Sequence, residues 1–171
     1  MKKNKRALFE RIYSENYAMV MQMCLGYVKG NRAMAKDLSQ EVFLKVWNNL
    51  DKFRGDASPK TWIYRITINT CIQQVKKEQK RELKLTEGMP LQSQSYESDV
   101  AEELEENISE LYNAIGSLKE IDRLIIIMVL ENETYESIAK IIGISSTNVR
   151  VKIHRIKKRL EKILKNSNDG K

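Results

Sequence analysis

Two sets of side chains in this sequence are spaced for gripping a polyanion rather than for making or breaking bonds. In residues 134–160, TYESIAKIIGISSTNVRVKIHRIKKRL, one helical face carries Thr147, Val151, His154, Arg155 and Lys158, flanked by Arg150 and Lys152. The other face carries Val149, Ile153, Ile156, Leu160 and Ile163. Small and polar residues between cations suit base edges and phosphates of a duplex groove. In residues 53–70, FRGDASPKTWIYRITINT, and the turns beyond, Trp62, Arg65, Asn69, Gln73 and Lys76 share a face opposite Ile63, Tyr64, Thr67, Ile68, Cys71 and Val75. An aromatic plane, amides and cations together suit single-stranded nucleic acid, where stacking contributes about 1–3 kcal/mol per base. A plainer reading stands beside each: a basic amphipathic helix for the first, and a core tryptophan with solvated cations for the second.

Covalent chemistry has little to work with. No glycine-rich phosphate loop or nucleophile–base pair is present, and His154 is the single histidine. Cys24 and Cys71 are far apart in sequence without a CxxC, which favours small core residues over a disulfide or a metal site. The expectation is therefore a non-enzyme with no catalytic residue, metal or cofactor.

The elements that must position these faces are all helical. Apolar residues recur at helical spacing, and no stretch sustains a strand's alternation. The pattern predicts a helix over about Leu8–Val28, with Gly26 and Gly30-Asn31 marking its end, and a second from about Ala33. Ser58-Pro59 reads as an N-cap with proline at the first helical position, opening a third helix to about Arg81. Residues 85–100, LTEGMPLQSQSYESDV, read as a linker with almost nothing to bury. Beyond it, Gly143 suits a left-handed helix end, and Ser145 or Ser146 suits the cap of the next helix, which together make a helix-turn-helix. The fold expected is all-α: two small helical domains, 1–82 and 107–171, joined by a flexible acidic linker over 83–106.

Charge follows the same division. Residues 1–80 hold 16 Lys/Arg against 7 Asp/Glu, residues 81–106 hold 2 against 8, and residues 144–165 hold 8 against 1. Cationic blocks of this density favour nucleic acid or an anionic membrane surface. The longest uncharged stretch, Asn16–Val28, is 13 residues and too short to span a bilayer, and no apolar signal core follows the basic start. A cytoplasmic protein is expected.

DLSQEVFLKVW (37–47) followed by FRGDASPKTWIYRITINT resembles region 2 of the sigma-70 family, in the reduced form of its extracytoplasmic-function (ECF) group. The stretch from Leu118 to Leu160 resembles that family's region 4. The resemblance covers both parts in the family's order. It implies a sigma factor that binds core RNA polymerase, recognises the −35 and −10 promoter elements and promotes melting and initiation. By position, Asp37, Gln40, Glu41 and Lys45 match the polymerase-docking side of the second helix. The loop residues Phe53, Arg54, Gly55, Asp56, Ala57, Ser58 and Lys60 match the pocket that receives a flipped −10 base, and Asn69 matches a polar position beside it. With Trp62, Arg65, Gln73 and Lys76 they make the expected −10 face. Arg150, Val151, Lys152, His154 and Arg155 match the part that enters the −35 groove, and Ser146, Thr147, Asn148 and Lys158 complete that face.

The resemblance further implies promoter DNA as a partner, an anti-sigma factor as another, and a monomer without a small-molecule substrate. Departures are Pro59, where the family often has a bulky residue, and Leu118-Lys119 in place of Leu-Pro. Val151 is apolar where a small polar residue is frequent, and suits a thymine methyl. On the residues alone, an operator-binding regulator and a helical protein that binds membranes or acidic partners remain rivals.

Overall fold

The computed structural model describes residues 2–85 and 102–168. Among these residues all regular structure is helical: α1 (Lys2–Tyr27), α2 (Arg32–Asn49), a short 3-10 turn (Leu50–Lys52), α3 (Pro59–Leu85), α4 (Glu102–Gly116), α5 (Glu120–Leu130), α6 (Tyr135–Ile142) and α7 (Ser146–Asn168). The linker expected over 83–106 falls largely outside the described residues, although α4 already begins at Glu102.

The helix starts are set by side-chain caps. Asn31 Oδ1 accepts the Met34 amide at 3.0 Å and Ser58 Oγ accepts the Thr61 amide at 3.2 Å. Thr134 Oγ1 accepts the Ser137 amide at 3.1 Å, and Ser145 Oγ accepts that of Asn148 at 3.2 Å. Each satisfies an amide that the first helical turn leaves without a partner. Of the two serines considered for α7, Ser145 is thus the cap and Ser146 the first helical residue. Gly143 ends α6 at φ 83°, a left-handed conformation that favours glycine.

α1, α2 and α3 pack around Ile12, Met23, Val42, Val46, Ile63 and Tyr64, all 1% exposed or less. Cys24 and Cys71 meet in this core as free thiols. Hydrogen bonding to Cys24 and burial both push the Cys71 thiol well above its ordinary value, which keeps it protonated and unreactive. α4 to α7 pack around Ile115, Leu124, Ile125, Ile138, Val149 and Ile153.

The two halves also pack against each other, which the reading of two tethered domains does not include. α1 lies along α5 and α4, and α3 lies against α6. Gly26 belongs to α1 and does not end it. A Cβ there would stand 2.6 Å from Ile127 Cδ1 of α5, so the missing side chain is what lets the two helices approach. Across the same face, Tyr112 covers Gly30 and Arg123 donates to the Tyr27 carbonyl at 3.4 Å. The all-apolar run Leu124–Met128 is buried throughout because it serves its own half and this second contact.

Candidate nucleic-acid interface

The −35 candidates are arranged as the helical period requires. Val149, Ile153, Ile156 and Leu160 are buried, while Thr147, Asn148, Arg150, Val151, His154, Arg155 and Lys158 are exposed. The turn between α6 and α7 is only Gly143–Ser145, so the start of α7 is held rigidly against its partner helix. Val151 is 44% exposed, an apolar side chain offered to solvent in the middle of a cationic surface. Two flanking cations already have partners. The Arg150 guanidinium lies 6.0 Å from the Tyr135 ring centre, and Lys152 pairs with Asp122 at 3.3 Å. Arg155 and Lys158 project beyond them. Ser146 is half-buried at the helix start.

The −10 candidates surround the start of α3. Arg54, Gly55, Asp56 and Ser58 are exposed in the loop, and Ala57 is half-buried. Gly55 adopts φ 79° in open space, so the loop turns there through a backbone shape that other residues resist. Pro59 begins the helix, where its fixed φ fits and its lack of an N–H has no consequence. Trp62 is half-buried against the core, its ring 4.9 Å from that of Phe53. The two rings are tilted by 41°, so Trp62 packs on the core and on Phe53 while staying partly exposed beside the loop. Asn69 and Lys76 are exposed as the period predicts. Gln73 is exposed as well, and its Oε1 accepts Lys45 Nζ of α2 at 2.9 Å.

That bond joins the candidate −10 face to the side of α2 expected to dock polymerase. Asp37 and Gln40 are exposed there, while Lys45 pairs with Glu41 at 3.0 Å. Leu44 lies between these polar residues and is 62% exposed. Polar spacing pointed to the face but did not select this leucine; its offset from the buried Leu38, Val42 and Val46 stripe was the available signal.

Two further residues were not foreseen. Glu133 and Lys140, from the turn before α6 and from α6 itself, meet the start of α3. Glu133 forms an ion pair with Lys60, accepts Tyr64 Oη at 3.2 Å and accepts Ser137 Oγ at 2.7 Å. Arg65 Nη2 donates to the Lys140 carbonyl at 2.7 Å. Burial alone would raise the Glu133 carboxyl. Hydrogen bonds from Lys60 and Ser137, the Lys60 charge and the Tyr64 hydroxyl outweigh it and hold the carboxyl below its ordinary value. Burial, then Glu133, pushes the Tyr64 hydroxyl far upward, so it remains a donor.

Comparison with known proteins identifies the two halves in order. The Sigma-70 region 2 pattern matches residues 12–81, and the Sigma-70 region 4 pattern matches residues 108–160. The RNA polymerase sigma factor YlaC of Bacillus subtilis is 31% identical over 79% of this chain and 80% of its own. The ECF RNA polymerase sigma factor SigW of the same organism is 29% identical over 96% and 93%. The ECF RNA polymerase sigma-E factor of Escherichia coli is 29% identical over 73% and 71%. The fold is shared with the sigma factor RpoE solved with the anti-sigma factor NepR from Bartonella quintana, at TM-score 0.73 and 22% identity over 92% of this chain and 96% of that one. CnrH, solved with the cytosolic domain of CnrY, gives 0.69 at 17% identity over 94% and 90%. With both regions present in order and relatives matched along most of their length, the chain belongs to the sigma-70 family, in its extracytoplasmic-function group.

Proposed function

We propose that the two basic faces of this sigma factor divide the promoter between them. Promoter recognition and transcription initiation with RNA polymerase are the function of this family and of this chain. Within that function, α7 reads the −35 duplex through Thr147, Val151, His154 and Arg155, with Arg150, Lys152 and Lys158 on phosphates. The loop over Phe53–Lys60 and the α3 face of Trp62, Arg65, Asn69 and Lys76 hold the melted −10 strand. Asp37, Gln40, Glu41, Leu44 and Lys45 dock on the polymerase. The functional division is 1–82, a linker over 83–106, and 107–171.

One observation carries the reading: an exposed cationic row on a helix rigidly set by a glycine turn, in the same chain as an aromatic and cationic loop–helix face. The first suits a major groove and the second suits unstacked bases. The chain itself performs no chemistry; phosphodiester synthesis belongs to the polymerase. Among the described residues no helix is long and apolar enough to cross a membrane, and the reading places the protein in the cytoplasm as a monomer. Because the two solved sigma factors above were captured with partner proteins, one of them a named anti-sigma factor, a regulator of that class is proposed here too.

The test is transcription with purified polymerase core on promoter fragments selected by this protein. Promoter-specific transcripts that require the chain are expected. Tight operator binding without any gain in transcription would overturn the reading in favour of a self-sufficient repressor or activator.

A further inference from the structure

Lys119 stands where the family often has proline, yet the backbone there keeps proline's shape. Its φ of −62° is the value at which proline is fixed, so the start of α5 is preserved while a ring gives way to a cation. The turn that carries this lysine is held from several directions. Leu118 is buried, and its amide donates to the Ile115 carbonyl at 3.0 Å. Arg123 Nε donates to the Leu118 carbonyl at 2.9 Å, and the Arg123 amide to the Lys119 carbonyl at 3.0 Å. An exposed lysine is thus set on a rigid support.

Lys119 shares an open cleft of about 830 Å³ with one flank of α7. Lys152, Arg155 and Arg159 follow one another along that flank at spacings of three and four, which puts them on one side of the helix. Lys152 is held by Asp122 at 3.3 Å, whereas Lys119, Arg155 and Arg159 are exposed. Five cations against two carboxylates line the cleft, so its net charge is positive. Arg155 also belongs to the −35 face, and the cleft therefore opens onto the same surface. Against about 30 Å³ for a water molecule, the volume admits a sugar–phosphate segment. A lining this charged is unlike the mostly apolar pockets that take small organic molecules.

We infer that this cleft seats a backbone phosphate of the DNA strand bordering the −35 groove, held by Lys119 from α5 and by Arg159 and Lys152 from α7. The contact rests on the α7 reading given above and deepens it. α5 lies outside the helix-turn-helix and becomes a second arm on the duplex. Phosphate contacts fix register and orientation without reading sequence. Lys119 and Arg159 are accordingly positioning residues: they set how α7 sits in the groove, while Thr147, Val151, His154 and Arg155 read what lies there.

The experiment uses holoenzyme assembled from polymerase core and the full chain, titrated onto duplex promoter fragments with a selected or a scrambled −35 element. Lys119→Pro removes the cation and keeps the backbone angle; Lys119→Ala and Arg159→Ala remove a cation without a ring, and Lys119→Arg restores one. Each loss variant should weaken binding to both duplexes equally and flatten the plot of log affinity against log salt by about 0.9. The parent's advantage over Lys119→Pro should then shrink about 3.5-fold between about 50 and 200 mM salt. Lys119→Arg should recover the parent's slope. A scan of neutral methylphosphonate linkages along the −35 strands should find a position that weakens the parent and leaves Lys119→Pro unaffected. If Lys119→Pro and Lys119→Ala match the parent in slope and scan while Arg155→Ala still loses more on the selected duplex, the contact is overturned and the α7 reading survives. If Arg155→Ala loses equally on both duplexes while the scan still finds Lys119, base reading by Arg155 fails and the phosphate contact stands. If inorganic phosphate at constant ionic strength weakens the parent but no single neutral linkage does, the cleft takes a free anion and the DNA contact is overturned. Circular dichroism on each variant excludes unfolding as the cause of any change.

Discussion

Lys60 and Glu133, 73 positions apart in the sequence, meet as an ion pair between the first turn of α3 and the turn before α6. Lys60, Ser137 and Tyr64 together hold the Glu133 carboxyl below its ordinary value of 4.5. A lowered carboxyl stabilises the contact fully above that ordinary value and progressively less as pH falls through the lowered one. Wild type should therefore unfold at higher temperature than Glu133→Gln at pH 7, by a margin worth about 1–2 kcal/mol. The margin should shrink as pH falls from 5 to 3. A margin that stays constant over that range would exclude the carboxylate as its source.

Arg155 is exposed on α7, whereas Lys152 is held by Asp122 at 3.3 Å. Arg155→Ala should cost about 1–3 kcal/mol on a cognate −35 duplex, with a smaller loss on a scrambled one. Lys152→Ala should weaken both equally and modestly. Equal losses for Arg155→Ala on the two duplexes would assign it to phosphate alone, and fluorescence anisotropy at constant salt is sufficient to decide.

Leu44 is 62% exposed on α2 amid Gln40, Glu41 and Lys45. An exposed side chain contributes little to folding, so Leu44→Asp should change stability by less than about 0.5 kcal/mol. At the centre of a docking face it should still weaken polymerase core binding by about 1–2 kcal/mol. Surface plasmon resonance against core enzyme measures the second effect and thermal unfolding the first. Wild-type core affinity in this variant would remove Leu44 from the face.

Gly143 at φ 83° sets the angle between α6 and α7. Gly143→Ala should destabilise the protein by about 1–2 kcal/mol, the cost of a left-handed residue with a Cβ. Space is not the issue, since nothing lies within 4 Å of where that Cβ would stand. Gly143→Asn should be milder. Calorimetry on the pair separates backbone strain from crowding.

Much of this architecture is written locally. Ser58-Pro59, Gly143 and the α7 stripe each specify a boundary or a face through the chemistry of a few neighbouring residues, and the structure places them accordingly. α1 begins at Lys2 instead of near Leu8 because lysine and arginine continue a helix without needing an apolar stripe. What local pattern does not encode is the identity of a buried face's partner. Leu124–Met128 announced deep burial, yet nothing in its spacing names α1 as one of its covers. Gly26 looked like punctuation because glycine ends helices more often than it lets them touch. Gln73 is exposed as its period predicts, but its bond to Lys45 of α2 joins residues 28 apart and is not encoded locally. Glu133 lies in a turn, where a carboxylate is ordinary until Lys60 and Tyr64 arrive from far along the chain.

The seat of Ile127 over Gly26 has a consequence for solubility. Any opened form of this chain presents isoleucine to water on α5 and a bare strip of backbone on α1, both ready to adhere to other apolar surfaces. Such a species is best short-lived. Separation of the two halves would expose that apolar surface unless another surface covered it at once. One glycine thus links the packing of the two halves to how much apolar surface the chain shows to water.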